Sequence, residues 1–342
     1  MPVSMKDVAQ AAGVSLGTVS NVLNRPEIVA EGTRTRVQKV IRELGFVVNA
    51  SAQTLRAGRT KVLGLVVPDI GNPFFTEVAK GVDDAAFAEG YSVILCNTNE
   101  DSAKEDRYLD LLVSQRVAGI LITPARESHA AMSRLTDREV AITLLDRSSV
   151  GLDACSVAVD DGAGGAMAFD HLYGLGHRDI LVLLGPSDIP QVAERKRGIV
   201  EAAAARQGEN TAALHFVTAM HMSTAAGEST MLDYLESNSR SFTALICAND
   251  LLALGAMRSL RAKGISVPKD VSVVGYDDID FAASAQIPLT SIRQPKYQLG
   301  YAATELLIAE CEDRAAHAHQ RVMFQPQLIA RDSSRAVRKP KK

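Results

Sequence analysis

Ser4-Met-Lys-Asp-Val-Ala-Gln-Ala-Ala-Gly-Val-Ser-Leu-Gly-Thr-Val-Ser-Asn-Val-Leu-Asn24 reads as two short helices joined by a tight turn at Gly13. Ser4 can cap the first helix, with Asp7 three residues on completing a capping box. Ser15 can cap the second, expected from about Leu16 to Leu23. Val8, Ala9, Ala12, Val14, Val19 and Val22 supply apolar faces to hold the pair together. Ala9 lets the helices approach closely, and Gly13 permits the positive φ of the turn. Leu16, Gly17, Thr18, Ser20, Asn21 and Asn24 are left pointing elsewhere, as a helix seated in a DNA major groove requires. A plain surface hairpin is the alternative, and the rest of the chain weighs against it.

Outward from the hairpin, Val37, Val40, Ile41 and Leu44 form one apolar face of a third helix over Arg34–Leu44, closed by Gly45. Asn49–Ala57 favours helix but spans only about two turns, so it should be ordered only against a partner. Gly58–Lys61 reads as a linker. The first 61 residues hold nine Lys and Arg against four acids, a charge of +5; with −3 for the whole chain, −8 falls on the remainder. A small basic head on a larger acidic body is the charge pattern of a nucleic-acid binder with a separate second function.

At 342 residues the chain exceeds one ordinary core, and 46% hydrophobic with 23% charged residues fits a globular protein. From Val62 strands and helices alternate. Apolar runs recur at Val62–Val67, Ser92–Cys96, Gly119–Ile122, Ile142–Leu145, Ile180–Leu184, Ala213–Val217, Ala244–Cys247 and Val271–Val274. Amphipathic stretches separate them, which predicts buried parallel strands with crossover helices. These units are too many for one open sheet, so two similar halves are expected, with a ligand between them beyond the carboxyl ends of the strands. The expected organisation is a helix-turn-helix head over 1–48, a hinge helix and linker over 49–61 and a two-lobed core over 62–331. Crossovers between lobes are expected near 155–165, 285–295 and 320–328, with a basic tail over 332–342 that is disordered from Arg335.

Several short motifs occur in order along this alternation: Lys6-Asp-Val-Ala-Gln-Ala-Ala-Gly-Val-Ser15, Thr18-Val-Ser-Asn-Val-Leu-Asn24, Asn72-Pro-Phe-Phe75 and Gly174-Leu-Gly-His-Arg178. Ala248-Asn-Asp250 with Leu254-Gly-Ala-Met257, Val271-Ser-Val-Val-Gly-Tyr-Asp-Asp278, and Pro288-Leu-Thr-Ser-Ile292 with Gln294-Pro295 follow. In these the chain resembles the lactose-repressor family of bacterial transcription regulators, from Ser4 to about Arg331. The resemblance implies a helical DNA-binding head, a hinge helix and an α/β core of two lobes. Each lobe would be a mostly parallel sheet flanked by helices, similar to periplasmic sugar-binding proteins.

What the resemblance implies can be placed residue by residue. Leu16, Gly17 and Asn21 match positions that face base edges; Asn can bond adenine in the major groove and Leu can touch a thymine methyl. Ser4, Ser15, Thr18, Ser20 and Asn24 are candidates for phosphate contacts, with plain helix capping as the alternative for Ser15. In the hinge, Asn49, Ala52 and Gln53 face the minor groove. Leu55 matches a leucine that wedges between base pairs; packing on a twin hinge helix is the alternative. Two hinges at one dyad imply a homodimer, or a tetramer built from it, on a pseudo-palindromic operator. In the cleft, Phe74 and Phe75 match an aromatic pair that stacks on ligand or fills the core. Asp146, Arg195, Asn249 and Asp277 match polar ligand contacts at strand ends, while Asp250 and Asp278 are expected to cap a helix or hold a loop. The purine-binding branch carries basic and hydroxyl residues at Ile189 and Gln191 and an aromatic near Met222. Departure at all three favours the sugar-responsive branch, a pentose such as ribose being one candidate. A nucleoside or another small metabolite remains open, as does a solute-binding protein.

An enzyme is the competing class. Gly162-Ala-Gly-Gly165 lacks the spacing of a phosphate-binding loop, and the chain has no GxSxG or HExxH motif. The pairs Asp160/Asp161 and Asp277/Asp278 are expected to diverge. Cys311, His317 and His319 are set aside as a metal site in favour of a solvated surface. No cofactor and no metal are expected. Cys96 and Cys247 lie in apolar runs and read as buried thiols. With no CxxC pair, no signal peptide and no apolar run of membrane-spanning length, the expected place is the cytoplasm, at the nucleoid.

Overall fold

The computed structural model describes residues 3–46, 60–124, 132, 135, 138, 140–148, 152–206, 211–237 and 242–337. The chain divides into two compact units, residues 1–60 and 61–342. The hinge segment, with Asn49, Ala52, Gln53 and Leu55, lies outside the described residues.

The first unit holds α1 (Met5–Ala12), α2 (Leu16–Asn24), a 3₁₀ turn (Pro26–Ile28) and α3 (Glu31–Leu44). The Ser4 hydroxyl accepts from the Asp7 amide at 3.3 Å while the Asp7 carboxylate accepts from the Ser4 amide at 2.8 Å, completing the capping box. Ser15 caps α2 by accepting from the Thr18 amide at 3.1 Å. Gly13 at φ 65° ends α1 in a left-handed turn that returns the Val14 amide to the Ala9 carbonyl. Val8, Ala9, Ala12, Val19, Val22 and Val37 form the centre of the small core. Leu44, expected on the inner face of α3, is exposed instead. Gly45 at φ 62° folds the chain back, and Phe46 packs on the core with its amide bonded to Ile41.

The second unit begins with β1 (Val62–Val67), α4 (Pro73–Ala88), β2 (Ser92–Asn97), α5 (Ser102–Ser114), β3 (Gly119–Ile122), β4 (Ala141–Leu145) and β5 (Cys155–Val159). It continues through α6 (Asp161–Gly174), β6 (Asp179–Leu184), α7 (Pro190–Ala204), β7 (Ala213–Thr218), α8 (Thr224–Ser237), β8 (Ala244–Cys247) and α9 (Asp250–Ala262). It ends with β9 (Ser272–Asp277), α10 (Asp280–Ala283), β10 (Thr290–Arg293), α11 (Lys296–Glu312), β11 (Arg321–Phe324) and β12 (Gln327–Ile329). Among the described residues these strands form two six-stranded sheets, ordered β11-β5-β4-β3-β1-β2 and β12-β10-β9-β8-β6-β7. All pairings are parallel except β10 with β12.

The chain passes between sheets after β5, after β10 and between β11 and β12. α11 follows a strand of the second sheet yet packs on the first, where Leu299, Ala303 and Leu307 join Phe74, Val78 and Val82. The strands at these crossings, β5, β10, β11 and β12, carry Ser, Thr, Gln or Arg among short apolar stretches, and the apolar runs did not reveal them. Residues 332–337 correct the expected tail. Ser333 is fully buried, its hydroxyl donates to the Val273 carbonyl at 2.6 Å, and the Val337 amide reaches Leu175 at 2.9 Å. That segment is sewn into the second lobe by backbone bonds a composition reading cannot foresee.

Candidate functional site

On the head, α2 buries Val19 and Val22 and leaves Leu16, Gly17, Asn21 and Asn24 exposed, with Thr18 and Ser20 half-buried. Leu16 is 50% exposed, an unusual state for a leucine that begins a helix in so small a core. The Asn24 amide donates to the Ser20 carbonyl at 2.9 Å, and Ser15 and Thr18 hydroxyls lie 2.9 Å apart. Ser4 and Ser15 are thus helix caps first, and any phosphate contact they make is shared with that role.

In the core, the strand order of each sheet reverses beside its first strand, which opens a crevice at the carboxyl edge. A cavity of about 380 Å³ lies there, lined from the first lobe by Asn72, Phe74, Phe75, Thr123 and Asp146 and from the second by Gln191, Arg195, Met222, Asn249 and Asp277. All six residues singled out from the sequence line this one cavity. Phe74 and Phe75 meet edge to face at 4.9 Å, belong to the first lobe's core and also line the cavity.

Arg195 projects from α7 into the second lobe's buried wall. Its Nε donates to Asp161 at 2.7 Å, an Nη donates to the Ala248 carbonyl at 2.6 Å, and Asp277 stands 3.8 Å away. The guanidinium stacks on the Tyr276 ring at 3.6 Å. Burial opposes its charge, but Asp161 and the other anions outweigh burial and hold it protonated. The glycine run contributes here through close packing rather than phosphate binding. A Cβ on Gly165 would come within 2.1 Å of the Arg195 carbonyl, and one on Gly198 within 1.9 Å of Gly162, so only glycines let α6 and α7 touch.

Asp146 and Asp277 sit at strand ends with φ of 53° and 102°, left-handed conformations that cost free energy and cluster at ligand sites. Burial, with the Asp161 charge behind it, raises Asp146 to about 7. Burial likewise raises Asp277 to about 6, partly offset by Arg195. The Gln191 amide nitrogen reaches across the cleft to the Asp146 carbonyl and carboxylate at 2.6 and 2.9 Å. Gln294 donates to Asp277 at 2.7 Å. Gln294, Asp161 and Tyr276 were not singled out as contributors to the cleft, and Gln191 entered only as a departure from the purine-binding branch. Their one legible signal was a polar or charged residue beside an apolar element. Asn249 is committed locally: it caps α9 by accepting from Leu252 at 2.9 Å and donates to Met222 at 3.0 Å. Asp250 is not that cap; its carboxylate holds the Ile279 amide and the Ser291 hydroxyl at 2.9 and 2.7 Å, while Asp278 pairs with Arg293 and Arg331. Asp160 caps α6 whereas Asp161 turns to Arg195, so that pair does diverge.

Four buried oxygens on residues that line the cavity have no hydrogen-bond partner: Asp146 Oδ1, Gln191 Oε1, Gln294 Oε1 and Thr123 Oγ1. Both glutamine nitrogens are already donating to Asp146 and Asp277, which turns the acceptor end of each amide toward unfilled demand. Buried polar atoms are rarely left this way.

Comparison with known proteins agrees with both units. Residues 4–49 match the bacterial regulatory proteins of the lacI family, and residues 169–334 match the periplasmic binding protein-like domain. The chain is 34% identical over 338 residues to the HTH-type transcriptional repressor PurR of Aliivibrio fischeri (strain MJ11), covering 96% of this chain and 98% of the relative. It is 32% identical to the HTH-type transcriptional regulator DegA of Bacillus subtilis (strain 168), covering 98% of each. Among solved structures, the Lac repressor dimer bound to operator and the anti-inducer ONPF matches with a TM-score of 0.85 at 26% identity, over 98% of this chain and all of that one. A lacI-family regulator from Enterococcus faecium with bound ribose matches at 0.73 and 28% identity, over 81% of this chain and all of that one. These are transcriptional regulators rather than enzymes, and with its operator-reading head and its ligand-binding core this chain belongs to the lacI family of bacterial regulatory proteins as a ligand-responsive repressor of transcription.

Proposed function

We propose that this repressor responds to a small neutral sugar of pentose size bound between the lobes, and that it reads a pseudo-palindromic operator as a homodimer in the cytoplasm. The observation that carries the sugar is the set of four unpartnered oxygens at one cavity. Three are pure acceptors and the fourth is a hydroxyl, so the complementary ligand is rich in hydroxyl donors. Phe74 and Phe75 offer an apolar wall for the C–H face of such a ring. Ile189, Gln191 and Met222 present neither a base nor a second aromatic to clasp a purine. The solved relative with bound ribose supports the same size class, and about 380 Å³ lies at the small end of ligand pockets, which span ~300–1,000 Å³.

On the DNA side, Leu16, Gly17 and Asn21 face base edges, and Ser4, Ser15, Thr18, Ser20 and Asn24 set register on phosphates. Asn49, Ala52 and Gln53 approach the minor groove, with Leu55 as the wedge. Dimerisation is supported by edge strands that expose apolar side chains, Ile94 and Leu95 on β2 and Phe216 on β7, with Phe87 beside β2. A ligand that contacts both lobes favours one arrangement of the lobes over the other. A thermal-shift series with ribose, xylulose, cellobiose, nucleosides and purine bases, followed by operator titration, tests this. A pentose at a hundred times its Kd should add about 2.7 kcal/mol of stability and change operator affinity. Stabilisation by a purine base but by no sugar would sink the sugar reading.

A further inference from the structure

A second cluster of ligating side chains lies at the opposite, amino-terminal edge of the first sheet. Cys155 begins β5 there, and its Sγ is 3.1 Å from His317 Nε2 and 3.7 Å from His319 Nδ1. These atoms all lie within 4.8 Å of one another. Both histidines sit on the connection between α11 and β11. Glu310, near the end of α11, is 3% exposed, and its Oε2 lies 3.9 Å from His319 Nδ1 with no hydrogen-bond partner. The sequence reading grouped His317 and His319 with Cys311, but Cys311 donates to the Ala118 carbonyl at 3.3 Å. The thiol that meets them comes from 162 residues earlier in the chain.

We propose that Cys155, His317 and His319 form a three-ligand binding site, with Glu310 beside His319, for a tetrahedral divalent metal ion, Zn²⁺ being the fitting ion. A thiol has one proton to give, yet Cys155 Sγ faces two imidazole nitrogens while also accepting from the Gln320 amide at 3.3 Å. Hydrogen bonds would tie each imidazole to a particular tautomer, whereas a metal ion takes the thiolate and both imidazoles together. Zn–S of ~2.3 Å with Zn–N and Zn–O of ~2.0–2.2 Å places tetrahedral ligands about 3.3–3.6 Å apart. The Sγ-to-nitrogen spacings of 3.1 and 3.7 Å straddle that range. The outer shell is present as well: His319 Nε2 lies 3.5 Å from the Asp153 carboxylate, the partner that orients a zinc-bound histidine. Arg314 flanks the other Glu310 oxygen at 3.9 Å. A thiolate and two imidazoles suit Zn²⁺ rather than Mg²⁺ or Ca²⁺, which prefer all-oxygen shells. The ion would clip the α11–β11 connection to β5, just before the chain makes its last passage between lobes.

The test is titration of metal-stripped full-length protein with Co²⁺ and Zn²⁺. One Co²⁺ per chain should bind with the sulfur-to-cobalt absorption of a thiolate ligand, and Zn²⁺ should displace it and raise Tm. Cys155→Ser should abolish that absorption. His317→Gln and His319→Gln, both on the connecting segment, should each weaken binding by at least about tenfold, and Cys311→Ser should change nothing. Absence of stoichiometric binding by the unsubstituted chain, or thiolate absorption that survives Cys155→Ser or disappears in Cys311→Ser, overturns the proposal.

Discussion

The head and the core place their functional residues in opposite circumstances. In the head, Leu16, Gly17 and Asn21 are what remains exposed after Val19 and Val22 have been buried, so folding and the proposed reading of DNA use different faces of one helix. In the core, Asp146, Arg195 and Asp277 are buried charges on the walls of the cleft, two of them at left-handed backbone positions. There the residues proposed to bind also burden the fold. Substitutions should therefore separate function from stability in the head and couple them in the core.

Arg195→Ala offers the strongest challenge to that contrast. It leaves Asp161 and Asp277 buried without their cation, so the core should lose about 3–5 kcal/mol together with its effector response, as read by denaturant unfolding and ligand titration. A stable core that merely fails to bind would show that the charges are not coupled to folding. Asn21→Ala should weaken operator binding by ~1–3 kcal/mol and leave the unfolding curve unmoved. Equal losses on operator and random DNA would reassign Asn21 to the backbone.

The pH dependence sharpens the core side. Asp146 and Asp277, raised to about 7 and 6, bind protons in the folded state that they do not hold when unfolded. The ligand-free core should thus gain stability as pH falls from about 8 to 5, by at most ~1.4 kcal/mol per pH unit for each group. Ligand hydroxyls donating to Asp146 favour its ionised form, so effector binding should release protons near neutrality and tighten as pH rises. Calorimetry in buffers of different ionisation enthalpy reads the proton count, and Asp146→Asn should reduce it. Smallest is Ser15→Ala, at about 1 kcal/mol of lost capping, visible in hydrogen exchange of the head's amides. Ser15→Asp should restore the cap while repelling phosphate, which separates the two roles of that position.

Some features were legible because their cause is local. The capping box of Ser4 and Asp7, the left-handed turns at Gly13 and Gly45, and the continuous apolar runs of β1, β3 and β8 depend on neighbours a few residues away. Leu44 misled for the converse reason: helical periodicity placed it inside, but the turn at Gly45 delivers Phe46 to that space instead. The six cleft residues could be picked out through the family resemblance, and parallel strands explain only why Asp146, Asn249 and Asp277, at strand ends, share one edge. Gln191 and Gln294 could not, since their meaning is a bond to a carboxylate elsewhere in the chain.

By itself the sequence determined the helix-turn-helix, the alternation of strand and helix, the polarity of the strand ends and the family. Tertiary structure alone decided how strands at the crossings pair, why residues 332–337 are held in the second lobe, and which thiol meets His317 and His319. The physical reason is range. Caps, turns and periodicity act over one or two helical turns, whereas a buried carboxylate or thiol acquires its partner only when distant segments are packed together, and burial then makes that partner matter.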